Sequence, residues 1–247
     1  MLSERERERY DRQIMMPEIG EEGQERLKRA RVFIAGAGGL GSPVSIYLAV
    51  AGVGKIRIVD HDTVDLTNLN RQILHRDGDL GRRKVDSAVD KLRSLNPDVE
   101  VEAIGDTINE DNVLRLVEGF DLIVDAMDNL PTRYLLNKAA IDLNIPFCHG
   151  AVRGLEGRVM TVIPGETACL RCMYRGPVPE EKFPVIGVAP AVIGAVQATE
   201  VIKYIVGMGD LLKNRLLLYD GLDMRFREFK VNRNPQCEHC GHLVGKE

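Results

Sequence analysis

The chain has 247 residues, with Lys plus Arg at 33, Asp plus Glu at 37 and a formal net charge of −4. At 44% hydrophobic and 28% charged it has the composition of a folded globular protein, and its mildly acidic balance argues against a general nucleic-acid or membrane-surface binder. The charged start, Met1 to Arg9, lacks the apolar segment of a signal peptide, so a cytoplasmic protein is expected.

Residues 1–30 read as a charged helical arm in two pieces, split near Pro17 and Gly20. The uncharged run from Val32 to Gly54 is long enough for a membrane span, but it carries six glycines and Pro43. It reads instead as strand (Arg31–Gly36), glycine turn and helix (about Leu40–Ala51). Lys55–Asp60 follows as a strand, and His61–Asp79 has no clear period. An amphipathic helix is expected over Gly81–Leu95, stopped by Asn96-Pro97. Then come a strand at Val99–Ile104, a helix at Asp111–Glu118, a strand at Phe120–Ala126, a helix at Pro131–Leu143 and a strand at Pro146–Ala151. This alternation predicts a Rossmann-like α/β fold, its sheet mainly parallel and covered on both faces. In the second half, strands at Arg158–Ile163, Arg215–Tyr219 and Arg225–Val231 extend the sheet in antiparallel fashion. A Pro-rich loop is expected at Gly176–Pro184. Ala189–Val206 is a helix apolar nearly all round, as for a buried helix or a subunit interface.

Four groups carry chemistry. Gly36-Ala37-Gly38-Gly39-Leu40-Gly41 fits G-x-G-x-x-G between strand and helix, where backbone N–H groups can meet phosphate at a helix N-terminus. Asp60, 19 residues after Gly41, ends the next strand and suits ribose hydroxyls. These features alone do not separate NAD from ATP. Arg82, Arg83 and Lys84 crowd the expected first turn of the third helix against its dipole, which favours a polyphosphate nearby, and Arg71 could add a forked donor. Asp125 and Asp128, at the end of the fourth strand, could hold Mg²⁺ against a triphosphate or merely cap the helix before Pro131. Cys169-x-x-Cys172 and Cys237-x-x-Cys240 supply four thiolates for one structural, tetrahedral Zn²⁺. His239 and His242 are expected to be bystanders, and the remaining cysteine, Cys148, a core residue.

Together these residues resemble the ThiF/MoeB/HesA family, prokaryotic relatives of ubiquitin-activating enzymes. The likeness runs through Tyr10-Asp11-Arg12-Gln13, Gly36–Gly41, Val59–Val64, Asn68-Leu69-Asn70-Arg71-Gln72, Lys84, Asp128-Asn129, both knuckles and Asn234-Pro235. It implies a single adenylation domain over 1–247: the arm, a nucleotide-binding half (31–150) and a zinc-clipped, carrier-binding half (151–247). It also implies a homodimer that uses ATP and Mg²⁺ to adenylate the C-terminal glycine carboxylate of a ubiquitin-like sulfur-carrier protein. Carried over by position, Gly36, Gly38, Gly39, Gly41, Asp60, Asp62, Thr67, Asn68, Asn70, Arg71, Lys84, Asp128 and Asn129 would hold ATP. Asp128 would take Mg²⁺, and Arg71, Lys84 and Asp128 would be catalytic together with Arg12, reaching across from the partner subunit. Many relatives carry a cysteine in the loop before the long helix, whereas here Gly176–Pro190 has none. The enzyme is therefore expected to stop at the acyl-adenylate, for attack by a sulfur donor. Adenylation of a small-molecule or tRNA-linked carboxylate is the alternative. A nicotinamide dehydrogenase or an inactive zinc scaffold would leave Arg12, Arg71, Lys84 and Asp128 without a purpose.

Overall fold

The computed structural model describes residues 1–174 and 183–243. Among them the strands form one eight-stranded sheet in the order β3-β2-β1-β4-β5-β6-β7-β8. The strands are β1 Arg31–Ala35, β2 Lys55–Val59, β3 Glu100–Ile104, β4 Leu122–Asp125, β5 Phe147–Arg153, β6 Glu156–Val162, β7 Arg215–Asp220 and β8 Arg225–Lys230. β3 to β5 across that order are parallel, and β5 to β8 pair antiparallel. The order reverses between β1 and β4, the switch point beyond whose carboxyl ends open α/β sheets bind ligands.

The alternation within β1 shows how the sheet divides two cores. Val32 and Ile34 face one cluster, with α4 (Gly41–Ala51), α5 (Lys84–Leu95) and α9 (Val188–Val206). Phe33 and Ala35 face the other, with α6 (Val113–Val117), α7 (Leu130–Leu143), α8 (Leu170–Met173) and the paired cysteines. α9 is long and apolar enough to cross a membrane by length and composition. Here it packs on α4, β5 and β6 as a core helix.

The structure departs from expectation at identifiable places. The N-terminal arm has three helices, α1 Glu4–Arg9, α2 Asp11–Ile14 and α3 Gly20–Arg29, because Tyr10 breaks the first piece while anchoring it: its hydroxyl accepts from buried Asn96 at 2.8 Å. α5 starts at Lys84 and not Gly81. Gly81 is instead a turn at φ +80°, and Arg82 and Arg83 pair with the preceding loop, with Val64 N–H on the Arg82 carbonyl at 2.8 Å and a Thr63–Arg83 bridge. Only Lys84 of the three cations is therefore in the first turn. Arg82 is paired with Asp79 and Asp90, and Arg83 with Asp86. The unperiodic stretch His61–Asp79 holds two 3₁₀ turns, Leu66–Asn68 and Asp77–Asp79. Most of the Pro-rich loop at Gly176–Pro184 lies outside the described residues.

Candidate active site

The glycine turn is fixed by close approach. Gly36 has φ +102°, and a Cβ there would lie 2.7 Å from the Ala126 carbonyl oxygen, so this glycine lets the turn lie against the end of β4. The next peptide is held from both sides. Ala37 N–H donates to Asp60 Oδ2 at 2.8 Å, and the Ala37 carbonyl accepts from His75 Nε2 at 2.9 Å. Burial first, then the nearby Lys84 and Lys91 charges, holds the His75 pKa below its usual value, so the ring is neutral. Its Nε2 carries the proton, and Nδ1 accepts from Ser87 Oγ at 2.8 Å. Gly38 and Gly39 remain half-buried at the mouth of the turn.

Asp60 also takes the Asp62 amide on Oδ1 at 2.9 Å, so its carboxylate organises the loop around it. Asp62 in turn accepts from Lys84 Nζ at 2.7 Å. The Lys84 side chain is only 6% exposed, whereas Asp62 is half-exposed. A buried ammonium with one half-exposed partner is suited to exchanging that carboxylate for a phosphate oxygen.

The Leu66–Asn68 turn positions Arg71. Asp65 caps it, accepting from Thr67 N–H at 2.8 Å and Thr67 Oγ1 at 2.7 Å, and these bonds lower the Asp65 pKa. Asn68 Oδ1 accepts from Asp65 N–H. Arg71 Nη1 is fixed by the Thr67 carbonyl at 2.9 Å and Asn70 Oδ1 at 3.0 Å, and its other nitrogens have no protein acceptor among the described residues. Thr67, Asn68 and Asn70 thus shape the turn and aim Arg71, whose stem lies beside Gly39. Gly187, just before α9, packs so tightly on Asn70 and Arg71 that a Cβ would sit 2.6 Å from the Asn70 carbonyl oxygen.

The two β4 aspartates have different environments, and neither caps the helix. Asn129 is the α7 cap, its Oδ1 accepting from Thr132 N–H at 2.9 Å. Asp125 is fully buried and bonded to His149 Nδ1 at 2.7 Å. Asp128 is exposed, with no ion pair or hydrogen bond among the described residues. It is the carboxylate free to meet a cation.

Arg12 is the residue not brought to this site. Its neighbour Gln13 donates to Ala51 O at the far end of α4, while the glycine turn is at the near end. α4 has 11 residues and so spans about 16 Å, beyond the reach of an arginine side chain. Arg12 is exposed and has no partner among the described residues, alongside exposed Met15 and Met16.

The cysteine knuckles converge. Cys169, Cys172, Cys237 and Cys240 are buried with their sulfurs within 4.8 Å of one another, at 3.9, 3.6 and 3.5 Å for three of the pairs. A tetrahedron with metal–sulfur bonds of about 2.3 Å puts sulfurs about 3.8 Å apart, so this donor set fits zinc. His239 is turned away, its Nδ1 2.7 Å from Asn137 Nδ2.

The ThiF family model matches residues 10–239. This chain belongs to the ThiF family. It is 44% identical to the sulfur carrier protein adenylyltransferase of Thermus thermophilus, over 96% of this chain and 91% of that one. It is 45% identical to the SAMP-activating enzyme E1 of Haloferax volcanii, over 95% and 88%. Among solved structures, E. coli MccB crystallised with ATP matches with a TM-score of 0.86 at 26% identity, over 94% of this chain and 74% of that one.

For a ThiF-family chain the cysteines are informative. All five are buried, and burial drives the Cys148 thiol far above its usual range. Cys148 is thus a core residue with no nucleophilic character. The structure adds His75, Arg133 and His149, which no motif or spacing had marked. The one signal was a histidine in the otherwise apolar strand around Cys148.

Proposed function

We infer that this chain is an ATP-dependent adenylyltransferase acting on the C-terminal glycine carboxylate of a ubiquitin-like sulfur-carrier protein. The observation that supports this most is the set of charges around the glycine turn: Lys84 held by one exposed carboxylate, Arg71 aimed by a capped turn, and Asp128 unpaired. Hydride transfer has no use for such a set. Joining a carboxylate to a polyphosphate does, because two anions must meet.

In this reading the backbone amides of Gly38 and Gly39 cradle phosphate, and Asp60 sits at the ribose while holding the turn. Lys84 leaves Asp62 for the phosphates, and Arg71 presents its free nitrogens to the same oxygens. Asp128 is the protein ligand for Mg²⁺, which when bound neutralises phosphate charge. A carrier carboxylate oxygen attacks the α-phosphorus, the bond to pyrophosphate breaks, and pyrophosphate leaves with its electron pair. Arg12 serves the partner's site in a homodimer, since it cannot reach its own. The four clustered cysteines hold a structural zinc that ties 151–247 together.

The reaction ends at the acyl-adenylate. Residues 175–182 and 244–247 contain no cysteine, and the five present are buried, so the chain offers no thiol for a thioester. A sulfur donor attacks the adenylate from outside.

The test is ATP–pyrophosphate exchange with purified chain. Exchange that requires a protein ending in Gly-Gly supports the reading, and its absence with every such carrier contradicts it. The likeness to MccB favours one second reading, in which another carboxylate, such as a small acid, is adenylated by the same residues. Exchange driven by that acid alone would select it.

A further inference from the structure

At the carboxyl end of β4, where Asp125 lies beside His149 of β5, is a buried ionic cluster that the steps above do not use. The side chains of Asp125, His149 and Arg133 are 0%, 0% and 11% exposed. His149 Nδ1 lies 2.7 Å from Asp125 Oδ2, and Arg133 Nε lies 3.4 Å from the same oxygen. A carboxylate only accepts, so Nδ1 carries the histidine proton, and buried Nε2 is left without a partner among the described residues. Ions taken out of water, with an orphaned acceptor beside them, are a poor device for stability; well-packed apolar side chains generally do as well or better.

What the cluster does hold is backbone. Asp125 Oδ1 accepts the Met127 N–H at 3.0 Å. Arg133 Nη2 donates to the Met127 carbonyl and, at 3.1 Å, to the Gly150 carbonyl. Gln197 Nε2, from α9, donates to the Asp125 carbonyl at 2.9 Å. Met127 is therefore pinned at both its N–H and its C=O, and the next residue is Asp128. The exposed Asp128 carboxylate has no hydrogen bond of its own among the described residues. Its order has to come through the backbone that carries it.

We propose that Asp125, His149 and Arg133 form a positioning clamp that aims the Asp128 carboxylate at the nucleotide's metal ion. The proposal rests on the reading of Asp128 as the Mg²⁺ ligand. His149 orients Asp125, which with Arg133 fixes the Met127 peptide units and so the direction of Asp128. None of the three touches the nucleotide.

The test compares His149→Leu, His149→Asn, Asp128→Ala and the double variant His149→Leu/Asp128→Ala. Two quantities are read: kcat and KM for ATP in pyrophosphate exchange, and Mn²⁺ affinity of the protein bound to a non-hydrolysable ATP analogue, by electron paramagnetic resonance. Melting temperature and zinc content serve as controls. His149→Leu should weaken Mn²⁺ binding and lower kcat, each by about 10–100-fold, with KM for ATP within about twofold of wild type. His149→Asn keeps an N–H near the Nδ1 position and should restore most of both. In the Asp128→Ala background His149→Leu should change Mn²⁺ affinity no further. Unchanged kcat and Mn²⁺ affinity in His149→Leu overturn the clamp. So does a loss that follows the melting temperature and that asparagine does not rescue. If Asp128→Ala itself leaves Mn²⁺ affinity intact, the magnesium reading has failed; if only that variant loses affinity, the clamp alone has. Should His149→Leu not fold, Arg133→Lys, which cannot bridge both carbonyls and Asp125 at once, puts the same question.

Discussion

Replacing Cys240 by serine tests the proposed zinc clip, and the structure sets the scale of the effect. The fully buried Cys240 lies 3.5 Å from Cys172, and the knuckles join residues 68 positions apart. A cross-link closing a loop of that length restricts the unfolded chain by about 4 kcal/mol on the chain-entropy model. That is a large part of the 5–15 kcal/mol or so that holds a typical domain together. In a chain of this size it corresponds to a fall in melting temperature of about 8–16 °C. Calorimetry on wild type and Cys240→Ser, each with and without a strong chelator, reads the shift, and elemental analysis counts the metal. Wild type should hold one zinc per chain and fall by this amount when chelated, while the variant starts low and barely responds. A chelated wild type that melts where the untreated protein does, or a variant that keeps both zinc and stability, would refute the clip.

Other outcomes follow from single residues. Asp128→Ala should abolish pyrophosphate exchange while melting temperature and zinc content stay at wild-type values. Arg12→Ala should be inactive alone, but mixing it with inactive Asp128→Ala and allowing subunits to exchange should restore about a quarter of wild-type sites, because half the dimers then carry one intact site. No recovery would place Arg12 outside a shared site. Burial opposes ionisation of Asp79, but hydrogen bonds from Lys91 and the Arg76 amide overcome it and lower its pKa to about 2. A carboxyl depressed in the folded state stabilises above its unfolded pKa, and that stability fades as pH falls through the folded value. Wild type should therefore lose stability between about pH 4 and pH 2, and Asp79→Asn should lose less over that window in thermal melts.

Most strands and the long helices were legible because their apolar periods are strong: Phe33 and Ile34 face opposite cores as the pattern requires, and α9 packs one face on the core. The four-cysteine cluster was legible because two short spacings supply its sulfurs in pairs. The start of α5 was not, because Gly81 turns and Arg82 and Arg83 are paired with the loop at Thr63–Val64, a tertiary contact that no local pattern carries. For the same reason Arg82 and Arg83 read as part of the first turn of α5, which begins at Lys84. Asp60, Arg71, Lys84 and Asp128 stood out by type and place. His75, Arg133 and His149 act on backbone far away in sequence, through single hydrogen bonds, and such partners leave no spacing to recognise.

The central claim is that a carboxylate oxygen of the acceptor attacks the α-phosphorus of ATP. Labelling the carrier's terminal carboxylate with oxygen-18, running the reaction to completion with an external sulfur nucleophile and weighing the products tests it directly. The account predicts label in AMP and none in pyrophosphate or inorganic phosphate. Label in inorganic phosphate, or unlabelled AMP, would contradict it.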